Sequence, residues 1–89
     1  MQTTRYFREQ VLIKRPYLKI EWIQKVLNER KPSEIQEDGR LRYWTYIEGE
    51  KKFLRVVLLE DGMTVHNAFF DRDFKEKELN YEVPLLPRD

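Results

Sequence analysis

Between Arg40 and Arg72 the chain reads RLRYWTYIEGEKKFLRVVLLEDGMTVHNAFFDR. Three strand-like runs are separated there by two Gly-centred turns, and no other stretch restricts the fold as much. Glu60-Asp61-Gly62-Met63 sets Asp-Gly between two apolar runs, a strong short-range hairpin signal. A two-residue loop at Asp61 and Gly62 pairs Glu60 with Met63, Val57 with His66 and Arg55 with Ala68. The turn near Gly49-Glu50 pairs Ile47 with Lys52, Tyr46 with Phe53 and Trp44 with Arg55.

Period-2 alternation then sorts the side chains. One face carries Leu41, Tyr43, Thr45, Ile47, Leu54, Val56, Leu58, Val65, Asn67 and Phe69. It is mostly aliphatic and is expected to pack on helices. Asn67 is the polar exception there and needs a hydrogen bond if buried. The other face carries Arg42, Trp44, Tyr46, Phe53, Arg55, Val57, Leu59, Thr64, His66, Ala68 and Phe70. In this register Arg55 and His66 are diagonal neighbours, about 7 Å apart at the backbone. A three-residue first loop would flip the strand from Arg40 to Ile47 but leave Arg55 and His66 together.

Upstream, Met1 to Thr4 is expected to fray and Arg5 to Phe7 to form a short edge strand. Arg8 to Lys14 fits a short helix with Val11 and Leu12 as its apolar positions, broken at Pro16. Lys19 to Arg30 is the clearest helix, with Trp22, Ile23, Val26 and Leu27 on one stripe. Glu21 and Arg30 complement the helix dipole, the start lacks a capping side chain, and Pro32 is the stop. Ser33 to Asp38 is a polar connector or a short strand leading to a turn at Asp38-Gly39. Asp73 to Leu79 suits one helical turn. Two prolines keep Tyr81 to Pro87 from being a central strand, so residues 80–89 read as an extended tail.

The expectation is one α+β domain over residues 1–89, with a helical part at 8–31 and an antiparallel sheet at 40–72. Two N-terminal helices pack on one face of a three- to four-stranded meander. The absence of cysteine excludes a disulfide framework and a thiolate zinc site, and a single histidine excludes a His-rich metal site. No metal or cofactor is expected. No apolar run spans a bilayer and the first residues do not read as a signal peptide, which makes the cytoplasm the expected location. With net charge +1, binding to nucleic acid requires a local basic patch rather than a global field.

Val11-Leu12-Ile13-Lys14-Arg15-Pro16-Tyr17-Leu18, followed by Trp22-Ile23-Gln24-Lys25-Val26-Leu27, resembles the opening of small RelE-like domains. Gly39-Arg40, Leu54-Arg55-Val56-Val57 and Asp61-Gly62 resemble the strand block of the same domains. The resemblance, over roughly residues 9 to 72, is to RelE/ParE-type toxins of the barnase–EndoU–colicin–RelE grouping. It implies that fold and, with it, metal-independent RNA cleavage through attack of the ribose 2′-OH. Such toxins commonly place an Arg on the middle strand and a His or Tyr on the last, where this chain has Arg55 and His66. The chain departs in having Glu9 and Gln10 where related domains often have a His. The partners implied are RNA or the ribosome and an antitoxin protein.

On this reading Arg55 stabilises phosphate charge and His66 acts as the acid, while Arg40, Arg42, Trp44 and Tyr46 contact RNA. The plainer alternatives stay open. His66 is equally a half-buried strand histidine with a satisfied hydrogen bond, and the arginines are stems lying over aromatics. The same face, or the tail, also suits a non-catalytic module that binds a protein partner or itself. Glu48 and Glu50 read as solvated turn carboxylates, and Lys14-Arg15 as a solvated helix end. Asp71 is expected to cap the strand end or pair with Arg40 or Arg42.

Overall fold

The two turns fold the stretch from Leu41 to Phe70 into three antiparallel strands in the computed structural model, which describes residues 1–30 and 33–74. The elements are β1 (Gln2–Thr3), a first helix α1, α2 (Ile20–Glu29), β2 (Ser33–Ile35), β3 (Leu41–Ile47), β4 (Lys52–Leu58) and β5 (Thr64–Phe70). Helix α1 is a π-helical turn, Phe7–Val11, running into an α-helical turn, Leu12–Lys14. The sheet has five strands in the order β1-β5-β4-β3-β2, antiparallel except where β1 pairs parallel with β5. The architecture is thus α+β, with both N-terminal helices on one face of a mostly antiparallel sheet. The stop at Pro32, the region from residue 75 of the expected helical turn, and the tail 80–89 lie outside the described residues.

Helix α2 buries the stripe that its spacing predicts. Ile23 and Val26 are fully buried, and Trp22 and Leu27 pack against the core. No side chain caps its start at Lys19. Its end is held instead by Arg30, which adopts a left-handed backbone (φ 51°). The Arg30 Nε donates to the Leu27 carbonyl and its Nη1 to the Gly62 carbonyl, which ties the helix end to the β4–β5 turn.

The N-terminus departs from expectation. Gln2 and Thr3 form the edge strand, and Tyr6 and Phe7 belong to the helical segment. Thr4 is the reason: its Oγ1 accepts the Phe7 N–H at 3.0 Å, so it acts as a cap at the very point where the chain turns from strand to helix. The π-turn is closed by the Leu12 N–H donating to the Phe7 carbonyl. Phe7 and Val11 are both buried and share one core cluster with Val65, Leu58 and Ala68 of the sheet.

Register separates the two hairpins. Strands β3 and β4 pair as expected, Trp44 with Arg55 and Tyr46 with Phe53. Strands β4 and β5 do not. Arg55 faces Phe69, Val56 faces Ala68 and Val57 faces Asn67, while Leu58 faces Val65. His66 is therefore the extra residue of a β-bulge opposite Val57 and Leu58. One inserted residue inverts everything after it. Ala68 and Phe70 join the helix-packed core in place of Asn67 and Phe69, which move to the open face. The β4–β5 loop is also longer than two residues, since the Leu59 N–H donates to the Thr64 carbonyl. Asp61 organises it by accepting the Met63 and Thr64 N–H groups and the Thr64 hydroxyl. Among the described residues no helix is long and apolar enough to cross a membrane.

Candidate functional site

Strand β4 points Arg55 onto the face opposite the helices, where it sits over the rings of Trp44 (5.8 Å) and Phe69 (4.9 Å). Its Nη1 donates to Asp71 at 3.4 Å, and the Trp44 Nε1–H donates to the same carboxylate oxygen at 3.0 Å. The Asp73 N–H supplies a third donor. Burial pushes the Asp71 carboxyl up, but the donors from Trp44, Asp73 and Arg55, with the Arg55 charge, bring it below the usual carboxylate range. Burial and the Arg42 charge lower Arg55, against the pull of Asp71. Asp71 thus pairs with Arg55 rather than with Arg40 or Arg42.

The six residues singled out in the sequence do not form one site. Arg42 is held by Glu34 at 2.6 Å, and the Gln36 amide oxygen, turned toward it, accepts from its Nη2 and Nε. Trp44 is 4 % exposed, with Phe74 stacked on it at 4.6 Å, and so offers no platform to a base. Arg40 pairs with Asp38 at 3.7 Å. Tyr46 alone presents an exposed ring, edge-on to Phe53, and it borders a cleft.

His66 and Arg55 are not the expected diagonal pair. His66 lies three residues before Phe69, the partner of Arg55, which places it about 10 Å along the strand. The Arg55 guanidinium reaches toward Asp71, in the opposite direction. His66 serves another junction. Its Nδ1 is 3.1 Å from Thr4 Oγ1, the oxygen that caps α1, and Tyr6 stacks on its ring at 4.9 Å. Arg40 is the cation whose charge reaches it. Burial and then Arg40 lower the imidazole below its ordinary 6.5, with Asp38 opposing.

A pH dependence follows. The folded state holds His66 neutral more strongly than the unfolded chain does. That stability is complete above about pH 6.5 and is lost as pH falls through the lower folded value. Thermal melts from pH 7 to pH 5 are expected to show a falling Tm in the wild type and a shallower fall in His66→Gln. Equal slopes would remove His66 as the cause.

Two further groups were not legible as site residues. The Arg15 guanidinium, expected at a solvated helix end, lies 5.7 Å from the centre of the Phe69 ring that also carries Arg55. Asp71 is the one carboxylate in ion-pair range of either arginine among the described residues. The second group is the border of the cleft, built from the α1–α2 connection, the β3–β4 turn and the end of β5. The adjacency of Arg15, Pro16 and Tyr17 was its nearest signal, because Pro16 ends α1 and turns both neighbours toward the sheet. Among the described residues no group of three or more His, Cys, Asp or Glu side chains is placed to hold a metal ion. Comparison with protein-family models, with curated proteins and with solved structures gives no match for this chain.

Proposed function

We propose that the chain is a RelE-like protein of the toxin type that binds RNA. The observation that carries this reading is the pair of guanidinium groups at Phe69. Arg15 and Arg55 lie 5.7 and 4.9 Å from the centre of one ring, and among the described residues Asp71, paired with Arg55, is the one carboxylate in ion-pair range of either. A guanidinium suits a phosphate, because its planar fork gives bidentate hydrogen bonds, and two of them about one ring offer such a group more than one point of attachment. The resemblance to RelE-type toxins makes RNA the polyanion of choice. Binding of a labelled mixed-sequence RNA to Arg15→Gln tests it, since that variant leaves the Arg55–Asp71 pair intact. The affinity is expected to fall, and the slope of log K against log salt to drop by about 0.7 for the lost phosphate contact on a single strand. An unchanged slope with unchanged affinity would sink the assignment.

A second reading, metal-independent cleavage, is favoured by the setting of His66. A half-buried imidazole, oriented through Nδ1 and kept neutral, suits a proton acceptor better than the acid expected from sequence. Arg40, rather than Arg55, would then accompany it at the phosphate. Mixed-sequence RNA incubated in EDTA, with and without ribosomes, separates the two. Cleavage that His66→Ala abolishes while RNA binding persists supports it; intact RNA under both conditions leaves binding alone.

A further inference from the structure

We infer that the cleft at the β3–β4 end of the sheet stacks unpaired bases, so that the RNA taken by this protein is single-stranded. The inference rests on the RNA-binding reading above and extends it to a second, adjoining site. The cleft encloses about 980 Å³ and is bordered by rings from both sides of the sheet. On the helix side Tyr17 stacks on Phe70 at 6.0 Å, and Trp22 meets Phe70 edge-on at 5.6 Å. On the open side Tyr46 and Phe74 each meet Phe53 edge-on, at 5.1 and 4.8 Å. Tyr17 is 51 % and Tyr46 42 % exposed, so each group presents a ring face to the cleft that the core does not use.

The charges around these rings select the occupant. Lys19 lies 5.3 Å from the Trp22 ring and Lys52 lies 5.4 Å from the Phe70 ring. Lys51 and Arg72 complete four cations along the border, and none of the four makes an ion pair with another described residue. Of the two bordering carboxylates, Glu50 and Asp71, the second is already engaged by Arg55. An apolar peptide helix laid here would bury ammonium groups without counter-charges, which is unfavourable. A single strand fits both demands, with bases on the rings and phosphates on the lysines. A duplex does not, because its base faces are already stacked within the helix. Asp71 joins the two sites, since it borders the cleft and holds Arg55.

The test uses fluorescence anisotropy with a short mixed-sequence RNA strand and with the blunt duplex of that strand and its complement. The strand is expected to bind at least about tenfold more tightly than the duplex. Tyr17→Ala is expected to weaken the strand about tenfold, the loss of one stacked base, and Tyr17→Phe to restore it. Lys19→Gln combined with Lys52→Gln is expected to lower the salt slope by about 1.4. Circular dichroism verifies that each variant is folded. Equal affinity for strand and duplex, or a Tyr17→Ala protein that binds like the wild type, overturns the inference. The two levels separate cleanly. Binding lost in Arg15→Gln but kept in Tyr17→Ala removes the cleft alone, whereas a wild type that binds neither RNA removes the RNA reading beneath it.

Discussion

Asp71→Ala is expected to lose about 3 kcal/mol of stability, measured by urea denaturation at neutral pH. The Asp71 and Arg55 side chains retain only 12 % and 19 % of their exposure, so solvent screens their pairing weakly. Removing the carboxylate leaves a guanidinium whose Nε already lacks a partner, over rings and near Arg42, with only the more distant charge of Glu34 to offset it. It also strands the Trp44 indole N–H, a buried donor worth about 1–3 kcal/mol when orphaned. Asp71→Asn keeps an acceptor for Trp44 and is expected to lose less. The midpoint should shift without a change in slope. A loss below about 1 kcal/mol for Ala would mean that water replaces the carboxylate, and the cluster would then not organise the open face.

Phe7→Ala is expected to be at least as severe, at about 3–5 kcal/mol. Phe7 is completely buried and is the largest fully buried side chain of the core. Its backbone N–H is the group that Thr4 caps, and Thr4 in turn holds His66. Truncation therefore opens a cavity under β5 and loosens the turn that seats β1. Equilibrium unfolding gives the magnitude, and amide exchange tests the coupling. The Thr4 N–H, which donates to the Val65 carbonyl, should exchange faster than in a variant of equal stability truncated in α2, such as Val26→Ala. Equal exchange in the two would separate Phe7 from the strand junction.

The parts of this fold that could be read from sequence are those governed by local period. Trp22, Ile23, Val26 and Leu27 mark α2, and the Gly49 turn with its flanking alternation gives the β3–β4 register residue for residue. The β4–β5 register escaped because a bulge has no composition of its own. Its one trace was Asn67, a polar residue that strict alternation placed among aliphatics. The helix over Arg8 to Lys14 is legible, but the strand before it and the helix start are not, because Tyr6 and Phe7 look strand-like; Thr4 at capping distance from Phe7 is the better guide. Of the candidate site, Arg55 was placed on the correct face, but its partners Asp71 and Arg15 come from residues that sequence proximity does not connect. The cleft joins Tyr17 to Phe70, and only tertiary packing brings those rings together.

The parallel pairing of Gln2 and Thr3 with Thr64 and Val65 ties β1 to β5, far along the sequence. Synthesis delivers β1 well before β5. A nascent chain that has emerged only through β3 has both helices but lacks Val65 and Ala68, which share the core cluster of Phe7 and Val11. Helix α1 and β1 must therefore wait, and closing so long a loop makes their docking a late, collective event. The same timing governs the open face of the sheet. Arg15 and Arg55 converge on a ring supplied by β5, so no product that stops short of Phe69 can assemble the pair. An interrupted copy lacks this pair of cations about Phe69 until β5 arrives.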